Sequence, residues 1–176
     1  DQLPQEAVLV IRNHPLSEGY GQRGWATQAA AVGAGKEDAD ACRRMANFLN
    51  GIGVPDDRLL FEGRNEPELW TAGESPAKVN LYYKAFVIRL HEHGLHGVIF
   101  NFGVGWPGNG GVADAPPDWS PFEGAVKAMH PGDYVGVHEY WGYNGPQENW
   151  GWWAGRALKM PYRVPVLVTE CGIDGG

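Results

Sequence analysis

Two kinds of segment alternate along this chain. Short runs in which almost every position is apolar, "AVLVIR" (7–12), residues 58–62, "GVIFNFG" (97–103), "YVGVHEYWG" (134–142) and "VPVLVTECG" (164–172), predict five strands. Between them lie stretches with helical spacing and end signals. In "EDADACRRMANFLNG" (37–51), Cys42, Met45, Ala46 and Leu49 share one stripe, acidic residues come early and Gly51 marks the stop. "SPAKVNLYYKAFVIRLHEHG" (75–94) offers Ser75 as N-cap, Pro76 in the first turn and Gly94 at the end. "SPFEGAVKAMHPG" (120–132) repeats the Ser-Pro start, and "NWGWWAGRALKM" (149–160) predicts a fourth helix. The stretch between the first strand and residue 37, with many Gly and Ala, reads as a loop.

Strands apolar along their whole length, with a helix in each gap, predict an α/β fold with a parallel sheet covered by helices. The strand–helix unit recurs at roughly 35-residue spacing, without sequence self-similarity or a low-complexity linker, so residues 1–176 read as one domain.

In parallel α/β folds, ligands bind where strands end at their carboxyl side. Polar residues gather at those ends here: His14, then Asn65 and Glu66, then Asn101, then His138, Glu139 and Tyr140, then Thr169 and Glu170. A sheet built for stability alone has no need of polar groups at all five tips, so these residues are expected to form one site. Two of them are carboxylates, Glu66 and Glu170. Paired carboxylates serve glycoside hydrolysis, one protonating the leaving oxygen and the other attacking or activating water.

Composition narrows the partners. Net charge is −7 with no Lys/Arg cluster, which argues against nucleic acid. No apolar run approaches the roughly 20 residues that cross a bilayer. The start "DQLPQEAV" has neither an initiating Met nor the regions of a signal peptide, so a processed or partial chain is expected. Eight Trp among 26 Gly suit a surface that grips flat rings. Cys42 and Cys171 are expected to be two buried free thiols.

"NEP" (65–67), "HEYW" (138–141) and "VTECG" (168–172), in this order and each at a strand tip, resemble the fourth-, sixth- and seventh-strand signatures of a clan of retaining glycoside hydrolases. Its members, cellulases, mannanases, xylanases and β-glycosidases among them, are (β/α)8 barrels of TIM type. The resemblance implies Glu66 as acid/base and Glu170 as nucleophile. It implies Asn65 on the sugar 2-hydroxyl, Tyr140 orienting Glu170, and His138 lining the sugar site. His14 resembles a strand-three histidine of some of these families. Since two nearby carboxylates cannot both ionise cheaply, Glu66 is expected to hold the proton and Glu170 to stay charged. The five strands then correspond to about numbers three to seven of eight, a partial barrel incomplete at both ends. The clan's further Arg from the early strands and Trp from strand eight are absent at the expected places. Open sheet edges would favour self-association.

Trp70, Trp106 and Trp141 follow strand tips, and at least one is expected to stack on a sugar. Trp150, Trp152 and Trp153 cluster on the fourth helix, where packing is the better account. Arg64 divides evenly between a structural ion pair and support of the site, and Glu139 reads as a structural ion pair. His91, His93 and His96 straddle a helix end and read as exposed or capping residues rather than a metal cluster. The expected partner is a carbohydrate substrate, with no cofactor or metal, and a polysaccharide-degrading role favours secretion. The competing readings are a binding relative without turnover and a metal-dependent hydrolase using His14, His138 and the carboxylates.

Overall fold

The computed structural model describes residues 7–12, 24–67, 69, 74–103, 107, 117–142 and 160–174. The apolar runs become β1 (Leu9–Arg12), β2 (Leu59–Glu62), β3 (His96–Phe102), β4 (Tyr134–Gly142) and β5 (Val166–Asp174). They pair in chain order, all parallel, as a curled half-barrel sheet. All four residues of β2 and the last six of β3 are buried, as expected of central strands covered on both faces.

Three helices lie in the first three gaps: α1 (Gln28–Gly51), α2 (Pro76–Glu92) and the single turn α3 (Glu123–Val126). The helix expected at 149–160, with Trp150, Trp152 and Trp153, falls almost wholly outside the described residues.

Two helices differ from the sequence expectation. Helix α1 starts nine residues before residue 37, where Thr27 caps it by accepting from Ala30 N at 3.1 Å. One of the glycines that made this stretch look like a loop, Gly35, serves packing instead. A Cβ on Gly35 would lie 2.4 Å from the backbone oxygen of Tyr82 in α2, so only glycine lets the two helices approach this closely. That contact offsets the roughly 1 kcal/mol helix penalty of glycine. Of the expected stripe, Cys42 and Ala46 are buried and Leu49 packs against the core, but Met45 is exposed.

The helix expected over 120–132 is only a 3₁₀ turn (Ser120–Phe122) followed by α3. Pro131 disfavours helical backbone at His130. The Asp133 side chain then accepts from His130 N at 2.7 Å, closing a turn that leads directly into β4.

The core lies between α2 and the sheet. Tyr82, Tyr83 and Phe86 of α2 meet Phe61, Phe100 and Phe102, with Trp119 and Phe122 closing the far side. Buried aromatic rings of this size dominate the apolar contribution to stability. At the sheet's margins the pattern reverses. Val8 beside β1, Val10 in β1 and Val168 in β5 are exposed, as are Phe48 of α1 and Ile52 just after it. Both thiols are free, but Cys171 is exposed rather than buried, because it belongs to marginal strand β5.

Candidate active site

Strand β2 ends at Glu62, and the chain turns through Gly63, Arg64, Asn65 and Glu66 before buried Pro67. This turn is held from two sides. Gly63 N donates to Val98 O at 3.3 Å and Glu66 N to Asn101 O at 3.2 Å, extending the pairing with β3 beyond the strand. The buried hydroxyl of Tyr83 faces two carbonyl oxygens, that of Arg64 and that of Phe100, the latter at 3.0 Å. A Cβ on Gly63 would come within 2.7 Å of the Tyr83 ring, so the glycine makes room for it.

The backbone here is strained. Among the described residues, the non-glycine positions with positive φ are Glu66 (41°), Phe100 (80°) and Asn101 (41°). All three fall on the two facing segments that the Tyr83 hydroxyl and the Glu66–Asn101 hydrogen bond join. Each such residue costs on the order of 1–3 kcal/mol and persists only where its surroundings over-determine it.

Glu66 reaches toward β4 and β5. Its Oε1 is 2.7 Å from His138 Nδ1, and the same nitrogen is 3.5 Å from Glu170 Oε2. The register shift between Val137 and His138 sets His138 level with Glu170 on the neighbouring strand. One donor atom each from Glu66, His138 and Glu170 lie within 4.8 Å of one another. Two ionised carboxylates at such a separation repel by about 3 kcal/mol at an effective dielectric of 20. His138, whose ring is fully buried, stands between them and can donate its Nδ1 proton to either.

A cation that sequence reasoning passed over completes the set. Arg12, the last residue of β1, pairs with Glu170 through Nη1 and with Glu62 through Nε at 2.7 Å. Strands β1 and β5 are the two ends of the sheet, which in a flat sheet would stand roughly 19 Å apart across four strand spacings. A direct Arg12–Glu170 contact therefore requires the sheet to curl until its ends face each other. Burial alone would lower the Arg12 pKa, but hydrogen bonds and charge from Glu62, then Glu170, outweigh it and raise the value. The signal was the lone basic residue closing "AVLVIR", at the same kind of strand tip as the glutamates.

The expected tip residues divide. Glu66, His138 and Glu170 come together. Asn65 adjoins Glu66, and its Oδ1 is buried without a hydrogen-bond partner among the described residues. His138 differs from its expected role of lining a sugar site, since its ring is enclosed and engaged by the carboxylates. Asn101 does not join them. It is fully buried and packs on β4, its Oδ1 only 2.0 Å from where a Cβ on Gly136 would stand.

Glu170 lies inside β5, which continues to Asp174, rather than at its end. Arg64 takes the structural half of its expectation, pairing with Glu74 and lying 4.8 Å over the Trp25 ring. His14, Trp70 and Trp106 lie outside the described residues, as do the side chains of Tyr140 and Trp141.

Two acceptors, a guanidinium and an imidazole on one curled surface can hold a polar substrate, pass a proton and stabilise developing positive charge. No family model, curated protein or solved structure matches the chain.

Proposed function

We propose that this chain belongs to a retaining glycoside hydrolase of the (β/α)8-barrel type. It would cleave β-glycosidic bonds of a polysaccharide or oligosaccharide by double displacement. The observation that carries the reading is the close approach of Glu66 and Glu170, donor atoms within 4.8 Å, on a curled parallel sheet. Retaining enzymes hold their carboxyl groups about 5–5.5 Å apart and inverting ones about 6.5–9.5 Å.

The roles follow from what each carboxylate touches. Glu170 carries the Arg12 guanidinium, which favours its charged form and suits it to attack the anomeric carbon. Glu66 gives its proton to the departing oxygen as that bond breaks, leaving a glycosyl ester on Glu170. Glu66, now ionised, takes a proton from water, whose oxygen attacks the anomeric carbon and frees Glu170. His138 keeps the two acids in register. In this reading Asn65, which adjoins Glu66, contacts the sugar 2-hydroxyl.

Turnover of aryl β-glycosides, abolished in both Glu66→Gln and Glu170→Gln, tests this. Azide should restore activity to Glu170→Gly by attacking the anomeric carbon in a single displacement, giving a glycosyl azide of inverted configuration. Rescue confined to Glu66 variants would reverse the roles. Oligosaccharide binding without turnover would favour a non-catalytic relative.

One observation favours a second reading. Glu66, His138 and Glu170 present donor atoms close enough to share a metal ion, as a metal-dependent hydrolase requires. Against it, a cation on Glu170 would have to compete with Arg12. Loss of activity on chelation, restored by a divalent ion, would decide for that reading.

A further inference from the structure

At the opposite rim of the sheet, a second group of side chains converges, and it does not depend on the glycosidase reading. His91 lies in the last turn of α2, His96 is the first residue of β3, and Asp133 immediately precedes β4. Their donor atoms lie within 4.8 Å of one another. His93, between the two histidines in sequence, turns away to Asp40, its Nε2 2.6 Å from Oδ1. The three-histidine cluster that the sequence displays is thus replaced by two histidines and a carboxylate drawn from 36 residues downstream of Gly97.

We propose that His91, His96 and Asp133 bind a divalent transition ion of the zinc type. Two imidazoles and one carboxylate form a nitrogen-rich set that suits zinc, cobalt or nickel rather than calcium or magnesium.

The carboxylate is prepared for the task. Asp133 is fully buried and oriented by two backbone donors, Gly97 N at 2.9 Å on Oδ1 and His130 N at 2.7 Å on Oδ2. Ligating carboxylates are commonly fixed by such hydrogen bonds. The His91 ring is held flat against that of His130, with centroids 3.8 Å apart and planes 8° apart.

His96 supplies the observation that asks for a ligand. Its Nδ1 is shielded from solvent, has no hydrogen-bond partner among the described residues and stands 3.4 Å from Asp133 Oδ1. Gly132, at φ +105°, makes this approach feasible, since a Cβ there would lie 2.8 Å from that nitrogen.

The His91 and His96 side chains are partly exposed, so the group lies near solvent although His96 Nδ1 itself is shielded. As the ion enters, it displaces the proton shared by His91 Nε2 and Asp133 Oδ2, 2.7 Å apart, and that proton passes to solvent. The bound ion would join the end of α2, the start of β3 and the turn before β4.

The test uses chelator-treated protein carrying Glu66→Gln and Glu170→Gln, so that the other rim cannot account for binding. Zinc should bind at one ion per chain and raise Tm by roughly 5–11 °C once it exceeds Kd a hundredfold. Cobalt should give visible ligand-field absorption. His96→Ala and His91→Asn should each weaken binding at least about tenfold, while His93→Ala should leave it unchanged. If His96→Ala fails to fold, His96→Gln takes its place. Absence of both the Tm rise and the cobalt absorption overturns the proposal, as does their persistence in the His91 and His96 variants.

Discussion

The two rims of this sheet solve the same problem, a carboxylate beside a histidine, in opposite ways. At the amino rim, Asp133 is fully enclosed and two of its acceptor positions are filled by main-chain amides. At the carboxyl rim, Glu66 and Glu170 remain partly exposed, and the side chains of His138 and Arg12 are among their partners. Main-chain partners are fixed once the fold forms. Side-chain partners can shift, and partly exposed oxygens can meet a substrate. The positive-φ residues also gather near the carboxyl rim, where strain is tolerated at a cost to stability. One rim thus ties its carboxylate to the backbone, while the other leaves two carboxylates partly exposed.

Substitution at the carboxylates should separate these two arrangements. Glu66→Gln or Glu170→Gln should reduce glycoside turnover at least about thousandfold while changing Tm little, because both side chains are partly exposed and the amide keeps the carboxyl's shape. Asp133→Ala should do the reverse. It strands two buried amides and costs about 3 kcal/mol, a Tm fall of roughly 6–12 °C, with turnover per folded molecule preserved. Calorimetry and initial rates on the three variants decide the matter. A glutamate variant as unstable as Asp133→Ala, with no specific loss of rate, would remove the distinction.

Tyr83 offers a finer cut, since it belongs to the core yet holds the turn at the carboxyl rim. Its hydroxyl bridges the carbonyls of Arg64 and Phe100, and burial pushes its pKa well up, so the group stays a neutral donor. Tyr83→Phe should cost about 1–2 kcal/mol of stability. If the hydroxyl also positions Glu66, kcat should fall about tenfold with KM little changed. Loss of stability with kcat untouched would assign Tyr83 to the core alone.

Much of this arrangement was legible in the sequence because strands announce themselves by unbroken apolar runs. The β2 and β4 runs were placed within a residue or two, and "NEP", "HEYW" and "VTECG" located three of the side chains that meet. What failed was legibility of contacts between distant elements. Gly35 looked like a loop former because its reason, the Tyr82 backbone oxygen, lies on another helix. Arg12 was overlooked because its partner is at the other end of a sheet whose curl no local pattern reveals. His91 and His96 were grouped with His93 by proximity in the chain, whereas Asp133 selects between them in space.

The smallest effect concerns acid stability and asks whether other carboxylates on the helical layer behave like Asp133. Asp56 receives two hydrogen bonds from Arg43, at 2.7 and 2.9 Å, and the same guanidinium reaches His93 O at 3.2 Å. The Arg43 hydrogen bonds, with a smaller contribution from Asn50, hold the Asp56 pKa below the usual aspartate value despite partial burial. A depressed folded-state pKa means that the unfolded chain takes up the proton first as pH falls. The contribution is therefore complete above the unfolded value of about 3.9 and is lost as pH drops through the folded one. Being half exposed to solvent, the pair is worth no more than roughly 1 kcal/mol. Asp56→Asn should accordingly lower the urea midpoint slightly at pH 7, and the gap from wild type should close as pH falls below the usual aspartate range. A gap that persists unchanged into acid would mean that Asp56 acts through packing and the Asn50 contact, as a neutral acceptor held in place much as Asp133 is by its amides.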